Sequence, residues 1–264
     1  MNRRDCDSLF RHVHSDHLMT TRFSVHIEAP EEETDRIRAV AEEIFEEIRR
    51  LESLFSRFIE DSDISRVNRL RHGESVVISP ETYRCLALAL EAEQQTGGHF
   101  NVAYHSLLTD ETGKAFSLLT NPCRVQSETT SLHLDLGGIG KGFALDHVRE
   151  ILETYDYSRS MICADTSTVL ALFPPQQSQG WPVVVETADG SQTLFLAHSA
   201  VGCSGKSVRG EHIFDTQRKI FDTTTNRVWV QNKSATFADA FSTAMMTMSD
   251  DERTEFMKKR SFPT

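Results

Sequence analysis

The sequence has no CxxC pair: its five cysteines, Cys6, Cys85, Cys123, Cys163 and Cys203, are far apart and odd in number. This argues against a zinc site or a dense disulfide framework and fits a reducing compartment. Nowhere do about 18 apolar residues run together, as a membrane span requires. The first residues, Met1 to Asp7, are polar rather than leader-like, so a cytoplasmic protein with no membrane insertion is expected. Basic residues are also scarce. With Lys+Arg 28 against Asp+Glu 39, the net charge of -11 repels phosphate backbones, and nucleic acid is excluded as an expected partner. The 264 residues, 39% of them hydrophobic, suffice for one large domain or two modest ones.

Residues 1–17 carry His12, His14 and His17 among charged side chains and read as a polar N-terminal arm. Thr21, Phe23, Val25 and Ile27 alternate as a strand does. Beyond Pro30, the apolar residues Ile37, Ala41, Ile44, Ile48, Leu51 and Phe55 recur at helical spacing. Ser79-Pro80-Glu81 opens another helix, which Gly97-Gly98 closes. Tyr104 to Thr130 has weak periodicity and reads as mixed loop. From Met161 the pattern changes to short β runs, and a last helix is predicted from about Ala235 to Met248. The whole is α+β, helix-rich in its N-terminal half and strand-rich in its C-terminal half.

Leu132, Leu134 and Leu136 alternate like a half-buried strand; Gly137, Gly138, Gly140 and Gly142 interrupt, and a helical stripe begins at Phe143. Such a loop exposes backbone N–H groups to an anion or is simply a tight strand-to-helix connection. It is neither a Walker A loop nor GxGxxG. Further on, Asp239 and Thr243 lie four residues apart, on one helix face. The pair suits Mg2+, or else a helix-dipole carboxylate and a back-bonded hydroxyl. His212 and Asp215 end a predicted short strand, where a histidine serves as general base or as a structural residue.

The order of these pieces resembles the ApbE family, the FAD:protein FMN transferases, over nearly the whole chain. Met19 to Phe23 is similar to the family's MGTxF, Ser56 to Asn68 to its SRF…S…N segment, and Thr96 to Asn101 to TGGaFD. Asp135 to Asp146 resembles DLGGIAKGyAvD, Ser204-Gly205 the TSG turn, His212 to Asp215 HIIDP, and Ala238 to Ala244 ADAlaTA. Four places depart from the pattern: Thr20 and Asn101 replace a glycine and an aspartate, Ala164-Asp165-Thr166 stands for GGD, and Thr216 to Lys219 for the PrTG loop. These exchanges imply altered FAD contacts.

The resemblance implies a T-shaped α+β fold with the flavin cleft between subdomains of about 18–130 and 131–264, within a single domain over 18–264. It implies FAD as substrate, contacted by Met19, Phe58, His99, Phe100, Asn101, Asp135 and Lys141. Mg2+ is implied as cofactor on the Gly138 carbonyl, Asp239 and Thr243, and His212 as catalytic base. The implied partner is an acceptor protein with a target Thr or Ser, which receives FMN while AMP departs. With water as acceptor, the same site would be an FAD pyrophosphatase; the departures also admit a non-catalytic flavin-binding protein.

Overall fold

The computed structural model describes residues 9–106, 114–187, 190–205 and 227–259. Strand β1 (Leu9–Leu18) pairs along its whole length with β2 (Thr21–Pro30). The segment expected as a polar arm is therefore, from residue 9, an edge strand. Its mixed composition suits that place, because a strand at a sheet margin keeps one polar, solvated side. Helix α1 (Thr34–Phe55) follows, and all six of its expected apolar positions are buried. Next come α2 (Asp63–Val67), β3 (Ser75–Val77) and α3 (Pro80–Gln95), capped by the Ser79 hydroxyl, which accepts from Thr82 N. Gly97 and Gly98 both have positive φ, and Gly98 N donates to Glu93 O, ending α3 as read from the sequence.

The stretch expected as loop contains β4 (Phe116–Leu119) and β5 (Arg124–Ser127), which form a small sheet in the order β3-β5-β4. Helix α4 (Gly140–Thr154) then leads to β6 (Ser160–Ala164) and β7 (Thr168–Ala171), the hairpin β8 (Trp181–Thr187) and β9 (Gly190–Leu196), β10 (Ser199–Gly205) and β11 (Arg227–Asn232). Helices α5 (Ala235–Met245) and α6 (Asp250–Lys258) complete the described chain. The expected final helix ends earlier than predicted, at Met245, and α6 begins after it with a capping box of Ser249 and Glu252.

The main sheet is antiparallel in the order β1-β2-β6-β7-β10-β11, so strands from both ends of the chain share it. Helices α1, α4 and α5 cover one face, over an apolar cluster that runs from Leu18 to Phe256. On the other face the β8–β9 hairpin closes a smaller core of Trp181, Val183, Val185 and Leu196 against Met161, Val169, Ala171 and Val201.

The leucines before the glycine loop are buried, but they belong to no sheet. Their backbone is satisfied by other means. Leu134 N donates to Asn68 Oδ1 (2.7 Å) and Asn68 Nδ2 donates to Leu134 O (3.0 Å). His133 N donates to Ser106 Oγ (2.8 Å), and Asp135 N to Val102 O (2.8 Å). Alternation reports burial on one side, which an extended segment clamped by an asparagine satisfies as well as a strand does.

Candidate active site

The glycine loop turns on Asp135, whose Oδ1 accepts from Gly137 N at 2.8 Å. Its Oδ2 lies 3.1 Å from Arg57 Nε, and the Arg57 guanidinium lies over the Phe58 ring, 4.3 Å from its centroid. Phe58 is 78% exposed, so this edge of the loop carries an outward aromatic ring beside an ion pair. Tyr104, His105 and His133 stand ring against ring nearby. Burial, with the Asp135 charge, raises the Tyr104 pKa; burial and then His133 lower that of His105.

Beyond the turn, the loop meets α5. A Cβ on Gly138 would fall 3.1 Å from Thr243 Oγ1 and 3.2 Å from the Phe100 ring, so the missing side chain lets the three groups converge. One turn earlier on α5, Asp239 is 2% exposed. Its Oδ2 accepts from Gly142 N (3.1 Å) and lies 3.6 Å from Lys141 Nζ, which donates to Gly137 O at 3.1 Å. Thr243 Oγ1 donates to Asp239 O (3.2 Å) and shares a hydrogen bond with Ser204 Oγ (3.0 Å) on β10. Among the described residues no three His, Cys, Asp or Glu side chains converge. The Asp239 carboxylate at this junction faces the Gly142 N–H and the Lys141 ammonium, while the hydroxyls of Ser242 and Thr243 bond the backbone carbonyl of the same residue.

Gly138, Lys141, Phe100, Asp239 and Thr243 are thus brought together, with Asp135 and Phe58 at the margin. Other expected residues are placed differently. The His99 ring is engaged with Thr247 Oγ1 (3.0 Å) and lies 3.6 Å from Glu252. Asn101 donates to Glu93 Oε1 (2.7 Å) and accepts from Ala103 N (2.7 Å). Met19 packs against the core in the β1–β2 turn, where it and Thr20 have φ of 47 and 62. His212, Asp215 and the 216–219 segment lie outside the described residues. Sequence reasoning did not single out Arg57, Ser204 or Asp146 as site residues, although each stands inside a stretch it had marked. The contacts that give them importance cross from one element to another and leave no spacing signal.

The fold recurs in solved structures. The flavin transferase ApbE from Vibrio cholerae superposes with a TM-score of 0.85 at 20% identity, over 97% of this chain and 92% of that one. The flavinyl transferase ApbE of Pseudomonas stutzeri, in its apo form, gives 0.83 at 18% identity, over 98% and 91%. The ApbE protein of Thermotoga maritima gives 0.79 at 23%, over 95% and 91%. No curated protein sequence matches the chain. The fold is therefore the one those proteins share. The ApbE family model matches residues 19–263, and the chain belongs to the ApbE family.

Proposed function

We propose that the protein transfers FMN from FAD to a threonine or serine hydroxyl of a target protein, releasing AMP, and depends on Mg2+ to do so. Family membership and the fold of named flavin transferases support flavin transfer in general. The observation that carries the finer reading is the meeting of Gly138 with Thr243 and of Lys141 with Asp239, across about a hundred residues of sequence.

The residues present fit Mg2+. The donors are all oxygens, with one buried carboxylate and a glycine whose absent Cβ leaves room beside the threonine hydroxyl. The Gly138 carbonyl, Asp239 and Thr243 would hold the ion, which when bound neutralises charge on the FAD pyrophosphate. Lys141 adds a second positive charge beside it. Asp135, fixed by Arg57, orients the loop, and Phe58 offers an exposed ring for a planar part of the dinucleotide. His212, by resemblance to the family motif, removes the proton of the acceptor hydroxyl. That oxygen forms a bond to the FMN phosphorus as the bond from phosphorus to the bridging oxygen breaks, and the electron pair leaves with AMP.

Incubation with FAD, Mg2+ and candidate acceptor proteins should give a fluorescent, covalently flavinylated band together with AMP. Asp239→Ala should lower turnover at least about 100-fold, the order typical of removing a charge-stabilising group. Wild-type turnover in that variant would overturn the metal assignment. Free FMN formed without an acceptor would identify an FAD pyrophosphatase instead.

A further inference from the structure

We propose that Asp146 is a positioning residue for the candidate cation site: from α4 it sets the position and rotation of α5, and hence where Asp239 and Thr243 stand against Gly138. The inference rests on the reading of that site given above.

Asp146 is four residues beyond Gly142, on the same face of α4. That face touches α5 at two points. At the first, Gly142 N donates to Asp239 Oδ2 (3.1 Å), and a Cβ on Gly142 would fall 2.2 Å from Ala235 O. At the second, the Asp146 carboxylate accepts four hydrogen bonds from the start of α5: Ser234 Oγ (2.6 Å), Ala235 N (3.0 Å), Thr236 N (2.9 Å) and Thr236 Oγ1 (2.7 Å).

Ala235 N and Thr236 N belong to the first turn, where backbone N–H groups have no partner within the helix and where a negative charge is favoured. Ser234 already provides an ordinary cap, accepting from Phe237 N. A carboxylate from a neighbouring helix is therefore an addition to that cap, and it ties α5 to α4 rather than to itself. The glycine loop runs directly into α4, so α4 is the common frame. A slip of α5 by one residue would carry its side chains about 1.5 Å along the axis and turn them by about 100°. It would also break charge-assisted bonds at both oxygens of Asp146. With both contacts made, Asp239 and Thr243 arrive at Gly138 in one register.

The test titrates the full chain with MgCl2 alone by calorimetry, comparing wild type, Asp239→Ala, Asp146→Asn and Thr236→Val. Wild type should bind and Asp239→Ala should not. Asp146→Asn keeps one acceptor oxygen but turns an amide toward donors, and should weaken Mg2+ binding by about tenfold or more, as loss of a group orienting a metal ligand does. Its affinity for FAD in EDTA should stay within about twofold of wild type, which a general loss of structure would not permit. Thr236→Val removes one hydroxyl donor and should weaken binding by about fivefold. A folded Asp146→Asn protein with wild-type Mg2+ affinity overturns the proposal. If that variant does not fold, wild-type affinity in Thr236→Val overturns it. Absence of Asp239-dependent binding in wild type overturns the cation site itself, an outcome distinct from either.

Discussion

At Asn101 a neutral amide donates to Glu93, a carboxylate whose pKa burial raises above the ordinary glutamate range. A carboxyl group raised on folding costs stability as pH climbs from its unfolded value through its folded one, and Asn101 limits that cost by donating to it. Asn101→Asp would set two carboxylates side by side. We expect a loss of about 1–2 kcal/mol at pH 8 that shrinks toward pH 5, measured by thermal melts across that range. Thr20 is a β-branched residue at φ 62, where left-handed backbone costs roughly 1–2 kcal/mol. Glycine there gives back about 0.5–1 kcal/mol in entropy, so Thr20→Gly should raise the melting temperature by a few degrees. Both departures from the family pattern were legible in the sequence. What compensates the first was not, because Glu93 reaches Asn101 from α3 across the Gly97-Gly98 turn.

Helix α5 is clasped between backbones. A Cβ on Gly142 would fall 2.2 Å from Ala235 O, and one on Gly202 would fall 2.1 Å from Ala238 O, so α4 and β10 both press directly on the helix. Gly142→Ala has no flexible side chain to push aside. We expect it to cost about 3 kcal/mol or more and to lower Mg2+ affinity in whatever fraction folds, checked by denaturant melts and calorimetry. The element pattern was legible where local rules decide it: the α1 stripe, the Ser79 cap, the glycine stop after α3. It was misread at Leu132 to Leu136, where burial came without sheet partners. It was missed at α6, whose mean character is polar and whose signal was the Ser249 and Glu252 capping box alone.

For the molecule as a whole, the sheet matters more than the division into halves. Strand β1 covers the free edge of β2, whose Phe23, Val25 and Ile27 are fully buried. Removing residues up to Leu18 should therefore lower the melting temperature and reduce soluble yield by exposing that edge, whereas loss of a polar arm would change neither; melts and sedimentation distinguish the two. The pairing of β2 with β6 joins positions more than a hundred residues apart, and no local pattern announces such a contact. The glycine loop and the Asp239–Thr243 pair, by contrast, fall in short, ordered motifs that can be read locally, and the structure brings Gly138 against Thr243 and Lys141 near Asp239.

The enclosure of α5 also bears on where the chain tolerates change. Ala238, Ala240 and Ala244 are fully buried and small because the helix has neighbours on nearly every side. Added volume anywhere along it would be felt at Asp239 and Thr243. Change along the chain is then least constrained at side chains that face outward, away from α5, and most constrained in the small residues packed around Asp239 and Thr243.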